Sequence, residues 1–196
     1  CRPGRQFRRR NKEVAFPSAG GPVRKVILNV VIPLLFLISS LASFIQYEGG
    51  NIYWPAAGLW ALALAVTTPR CLASAPVPAA AAGLMLMAPH LVAIIDVSAA
   101  TDVQFVLLPA VTFLLAYLTL SFRNIGAHDL LPALSALLST AFIGVSALAF
   151  YSLDRIAGTS FIPTNEAFML HITAGLIGAF IMYLVFYAGL RMGARA

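Results

Sequence analysis

Two histidines, His90 and His171, lie within long apolar runs, and few other residues of the chain could do chemistry. Imidazole ligates metals and titrates near neutral pH, so an ionisable residue at membrane depth is a functional candidate. At 1.5 Å per residue, both would sit roughly 7–9 Å below the same rim of a helical bundle. Asp96, Asp102 and Glu166 fall near that layer. This set could form an outward-facing metal, haem or proton site. Two separate histidines, each bonded to a hydroxyl or carbonyl, explain the same residues without a site. Ser146 and His171 could pair as nucleophile and base if the fold brought them within hydrogen-bond reach. Phosphate loops, zinc-type Cys/His spacings and dinucleotide fingerprints are missing, and Cys1 and Cys71 are too few for a disulfide framework. The expectation is therefore no catalytic residue and no metal, with His90 and His171 as weak cofactor candidates. No motif encodes a cofactor, and lipid or pigment are the groups that apolar grooves would admit.

The elements that carry these residues are membrane spans. Apolar residues make up 60% of the 196 positions and charged residues 10%, with a mean hydropathy of +0.88. Soluble domains carry about 25% charge, so soluble enzymes and disordered tails are excluded. The apolar runs are continuous and lack the alternation of an outer-membrane barrel. The predicted fold is all-α: a polytopic transmembrane bundle over residues 26–196, preceded by a basic arm over residues 1–25. Six spans are expected, at Val26–Ile45, Ile52–Thr68, Pro76–Ile95, Val103–Phe122, Leu130–Leu153 and Ala167–Leu190. The second is short, and Tyr53 and Trp54 are expected at the membrane interface. Pro33, Pro89 and Pro109 lie inside spans and can kink them. Packing faces are expected at Ala79–Gly83, at Ser135, Ser139, Gly144 and Ala147, and at Ala174, Gly175, Gly178 and Ala179.

Charge sets the orientation. Eight of the 13 Lys/Arg lie in the first 25 residues. With the arm inside, Arg70, Arg123, Arg191 and Arg195 also fall inside and only Arg155 outside, while Glu48, Asp96, Asp102, Asp154 and Glu166 fall outside. This asymmetry predicts a multi-pass protein of the bacterial inner membrane with both termini cytoplasmic. An outer-face lipid anchor on Cys1 is then not expected. The net charge of +6 is a topology signal and implies no nucleic-acid partner. Arg2, Arg5, Arg8, Arg9, Arg10 and Lys12 exceed what orientation needs and suit anionic headgroups or an acidic partner surface.

Gly144-Val145-Ser146-Ala147 resembles in part the Gly-x-Ser-Gly of rhomboid proteases, which also have six spans and a late histidine. Position 147 is Ala, however, and Gln46–Asn51 is too short for the first rhomboid loop. A more specific stretch is Asn51-Ile52-Tyr53-Trp54-Pro55-Ala56-Ala57-Gly58-Leu59-Trp60-Ala61-Leu62-Ala63. It resembles the Trp-Pro-x-x-Gly-x-x-x-Ala signature of MASE-type membrane-associated sensor domains, through Trp54, Pro55 and Gly58. Arg70, Pro76 and Gly83 stand where that family has an Arg, a Pro and a Gly opening the next span. His171 to Gly178 is a loose counterpart of its last span. The resemblance is best over residues 45–90, and the family usually has more spans and a cytoplasmic output domain. It implies a sensory input module that binds a small ligand or partner. The short connections leave no room for a soluble catalytic domain between spans. Together with the rich arm, this favours a non-catalytic subunit of a larger membrane complex, respiratory or photosynthetic. The sensor module is the alternative.

Overall fold

The computed structural model describes residues 30–45, 53–68, 72, 75–123, 130–158, 162 and 164–193. They form six helices, and no strand occurs among them: α1 (Ile32–Ile45), α2 (Tyr53–Thr67), α3 (Pro76–Ala93), α4 (Val97–Arg123), α5 (Leu131–Ala157) and α6 (Asn165–Gly193). The last four are long and apolar enough to cross a membrane. The described α1 and α2, with 14 and 15 residues, are shorter apolar helices. The expected start of the first span at Val26, the basic arm, and Arg70 and Cys71 lie outside the described residues.

Local chemistry sets several helix ends away from the sequence expectation. Helix α4 begins at Val97 rather than Val103 because Asp96 caps it. Its Oδ1 accepts from the Ser98 and Ala99 amides at 2.8 and 3.3 Å, and from the Ser98 hydroxyl at 2.7 Å. These bonds hold the Asp96 carboxyl below the ordinary carboxylate range, the Ser98 hydroxyl contributing most. Helix α5 runs past Leu153 to Ala157 and ends at Gly158, whose φ of 67° a residue with a Cβ adopts at a cost. Helix α6 starts at Asn165, where the Thr164 hydroxyl accepts from the Ala167 amide at 3.1 Å. Prolines stand at N1 or N2 of α3 and α5, where a missing N–H costs nothing. Pro33 likewise falls in the first turn of α1, so only Pro89 and Pro109 are interior.

Helices α1 and α4 each pack against both α2 and α3, so these four close a ring. Helices α5 and α6 pack on each other and on the outside of α4. Helix α4 is thus central, and its stretch Val111–Ala116 is buried continuously. Small residues and hydroxyls make the close crossings. Ser39 on α1 donates to the Leu35 carbonyl and to the Gly83 carbonyl of α3, at 2.6 and 3.0 Å. The Trp60 indole of α2 donates to Thr119 of α4 at 3.1 Å. Thr112 of α4 and Ser139 of α5 share a hydrogen bond of 2.7 Å beside the Pro109 carbonyl. The packing faces largely follow expectation: Ala79, Ala82, Gly83, Ser135, Ser139, Ala147, Gly175 and Ala179 are buried. Gly144 departs from it. A Cβ there would meet nothing within 4 Å, and its neighbour Ile143 occupies the contact instead.

Candidate functional site

The candidate chemistry gathers at one end of the bundle. Tyr53 and Trp54 open α2, His90 lies in the last turn of α3, and His171 is in the second turn of α6. We call this the histidine end. Asp96, Asp102, Asp154 and Glu166 also flank it, whereas Arg123 ends α4 at the opposite side.

His171 sits in an aromatic cluster contributed by four helices. Its ring lies 5.1 Å from Tyr53, tilted by 31°, and 5.3 Å edge-on from Phe105 of α4. Tyr53 in turn meets Phe150 of α5 edge-on at 5.3 Å. Such pairs add about 0.5–1.5 kcal/mol each beyond area burial. His171 Nδ1 is 2.6 Å from the Ala167 carbonyl. A carbonyl only accepts, so Nδ1 carries a proton and donates it to Ala167.

Beside the cluster, the α5–α6 connection is clamped by polar side chains. Tyr151 donates to Asn165 Oδ1 at 2.5 Å and accepts from Arg155 Nη2 at 3.0 Å. The Arg155 guanidinium stands 5.2 Å from the centre of the Tyr151 ring. The Asp154 carboxylate accepts from the Ile162 amide.

The structure separates what the sequence could not. His171 has the carbonyl partner and ring neighbours of a packed histidine. His90 does not: its Nε2 is buried with no hydrogen-bond partner, directly after the interior Pro89. Ser146 lines an apolar groove with Trp60, Phe142 and Val145, and no hydrogen bond joins it to His171. No group of three or more His, Cys, Asp or Glu side chains that could hold a metal occurs among the described residues. Asp96 caps a helix rather than joining the histidines.

The largest departure concerns Tyr53 and Trp54. Expected at a membrane interface, they are 2% and 1% exposed and turned into the protein. Ring contacts with Phe150 and His171 hold Tyr53 there. Tyr53 Oη and Trp54 Nε1 nevertheless lack any hydrogen-bond partner. Of the signature residues, Trp54 and Gly58 are buried and Pro55 half-buried, so this stretch is a packing element of the ring. The missed residues, Phe105 and Phe150, carry no local signal in the sequence. Only the fold places them around His171.

No family model matches the chain, and no curated protein or solved structure matches it either.

Proposed function

We propose that this chain is a six-span integral membrane protein of the bacterial inner membrane, with both termini cytoplasmic. In this reading it is a non-catalytic subunit that receives a transmembrane helix of a larger complex. The supporting observation is an apolar groove of about 350 Å³ between α5 and α6. Ala133, Ala136 and Ala179 make its floor shallow, and Leu137, Phe180 and Tyr183 flank it. Small residues let a second helix backbone approach closely, which is how helices associate where lipid is as apolar as leucine. The rest of α6 exposes Ile177, Ile181, Leu184 and Val185, a face suited to acyl chains. The basic arm, Arg2 to Lys12, would add contacts to an acidic partner surface or to anionic headgroups on the cytoplasmic side.

The test is co-purification from native membranes. Ala133→Leu and Ala136→Leu, at half-buried positions of the groove, fill it and should release the chain from its partners while the isolated bundle keeps its helicity. Deleting residues 2–12 should lower the salt at which the complex separates. Full stoichiometry in all three variants would sink the subunit reading. Labelling of Cys71 by an impermeant reagent on intact cells would sink the orientation.

A second reading, the sensory input module of the MASE type, is favoured by the buried, unpartnered polar atoms at the histidine end.

A further inference from the structure

The last turn of α5 and the first turn of α6 are joined at the histidine end by a chain of polar side chains. Arg155 Nη2 donates to the Tyr151 hydroxyl at 3.0 Å, and that hydroxyl donates to Asn165 Oδ1 at 2.5 Å. The Tyr151 ring is itself held, 5.1 Å from Phe168 of α6 and 5.2 Å from the guanidinium carbon. The Arg155 fork is therefore oriented in advance, with its other N–H donors and the Asn165 amide nitrogen turned to the outside. Arg155, Asn165 and Glu166 are all exposed, and neither Arg155 nor Glu166 is ion-paired among the described residues. The 27 residues of α5 span about 40 Å against a hydrocarbon core of about 30 Å, so its last turn stands at headgroup level.

We propose that this rim of α5 and α6 binds one zwitterionic aminophospholipid, of the phosphoethanolamine type. A guanidinium fork matches the two oxygens of a phosphodiester, and the Asn165 amide adds a neutral donor beside it. Charge then selects among headgroups. Arg155 is the one Lys or Arg at this end among the described residues, whereas Asp96, Asp102, Asp154 and Glu166 are acidic. A purely anionic headgroup would meet one cation in a field of carboxylates. A zwitterion brings its own cation, which Glu166, next in the chain to Asn165, is placed to accept. A primary ammonium has three N–H donors for a carboxylate, and a quaternary one has none, so ethanolamine fits and choline does not. The apolar surface below commits the site to a lipid. Leu148 lies two turns from Arg155 on the same side of α5, Met169 lies one turn from Asn165 on α6, and both are exposed to take acyl chains. The inference rests on reading the chain as a membrane protein and is independent of the α5–α6 groove.

The experiment is native mass spectrometry of the full chain, delipidated in micelles and titrated with phosphatidylethanolamine, phosphatidylglycerol or phosphatidylcholine of identical acyl chains. A saturable first adduct is expected, tightest for phosphatidylethanolamine. Arg155→Gln should weaken that adduct about tenfold, the effect of one lost charge-assisted hydrogen bond. Glu166→Gln should bring phosphatidylethanolamine and phosphatidylglycerol to parity. Arg123→Gln, which removes the exposed arginine at the opposite end of α4, should change nothing. Circular dichroism checks that each variant is folded, and if Arg155→Gln is not, the headgroup ratio in Glu166→Gln decides alone. Equal affinity for the three lipids, or an equal loss in Arg123→Gln and Arg155→Gln, means general rim contacts and overturns the proposal. Tighter binding of phosphatidylglycerol by the wild type overturns the zwitterion assignment. Displacement of the adduct by soluble glycerophosphoethanolamine overturns the lipid assignment. Release from partners in the groove variants leaves these affinities untouched, so the two readings fail separately.

Discussion

Gly178 of α6 lies against Pro109 of α4 so closely that a Cβ at position 178 would fall 2.4 Å from the proline Cβ. Pro109 has no N–H to donate along its own helix, and the ring that removes it presents a flat apolar surface. The missing side chain of Gly178 receives that surface. One turn earlier, Gly175 does the same for Ile143 of α5, where an added Cβ would come within 2.7 Å. The peripheral helix α6 is keyed to two partners by two absent side chains.

Gly178→Ala should therefore lower the melting temperature of the purified bundle, at a cost of about 1–3 kcal/mol for overpacking. Gly175→Ala should act in the same direction, moderated by the freedom of the Ile143 side chain to shift. Gly144→Ala, with nothing within 4 Å, should be neutral or slightly stabilising. Equal melting temperatures for Gly144→Ala and Gly178→Ala would disprove the keyed packing.

The Thr112–Ser139 bond joins α4 to α5 at a buried point beside the interior Pro109. A double-mutant cycle with Thr112→Val and Ser139→Ala should give a coupling of about 0.6 kcal/mol, the usual size for an interhelical bond in a membrane protein. Thr112 also bonds its own Leu108 carbonyl at 2.9 Å, so Thr112→Val alone should cost more than the coupling. A coupling of zero from reversible unfolding in mixed micelles would contradict the shared hydrogen bond.

Gly158 ends α5 with a positive φ, and its amide donates to the Asp154 carbonyl at 3.1 Å. Gly158→Ala should destabilise the α5–α6 connection by about 1 kcal/mol, and Gly158→Asn by less, since asparagine tolerates the left-handed region. Proteolysis within residues 158–164 is the measurement. Faster cleavage of Gly158→Ala than of Gly158→Asn is expected, and the reverse order would refute the cap.

The Asp96 cap carries a pH dependence with a definite sign. Its carboxyl is held below the ordinary value in the fold, so the charged form stabilises the start of α4. That stabilisation is present above the ordinary carboxylate range and is lost as pH falls through the lowered value. Hydrogen exchange at the Ser98 and Ala99 amides, corrected for intrinsic rates, should show protection dropping on acidification. Asp96→Asn should abolish the pH dependence while keeping part of the protection. A pH-independent wild-type profile would show that the carboxylate is not the cap.

Composition and continuous apolar runs were enough to give an all-helical chain with long apolar helices. Solvation decides that class of question: a chain with 10% charge cannot cover a globule with polar surface. Most helix positions were legible for the same reason. The capped start of α4 was missed because Asp-x-Ser chemistry extends a helix beyond its apolar part. Small-residue stripes marked the packing faces, yet sequence could not tell Gly144 from Gly178, because only a neighbouring helix decides whether a missing Cβ is used.

Which residues share the candidate site was decided by tertiary structure alone. Tyr53 and Trp54 read as an interfacial pair, since an aromatic at a span's end ordinarily meets headgroups, and the rotation of α2 within the ring turns them inward instead. His171 and Phe105 are 66 residues apart in number and 5.3 Å apart in space. Helix rotation and neighbour choice depend on contacts distant in the chain, and a single sequence carries no local record of them. The two histidines looked alike in sequence. The fold gave His171 a carbonyl and two aromatic neighbours, and left His90 Nε2 buried and unbonded.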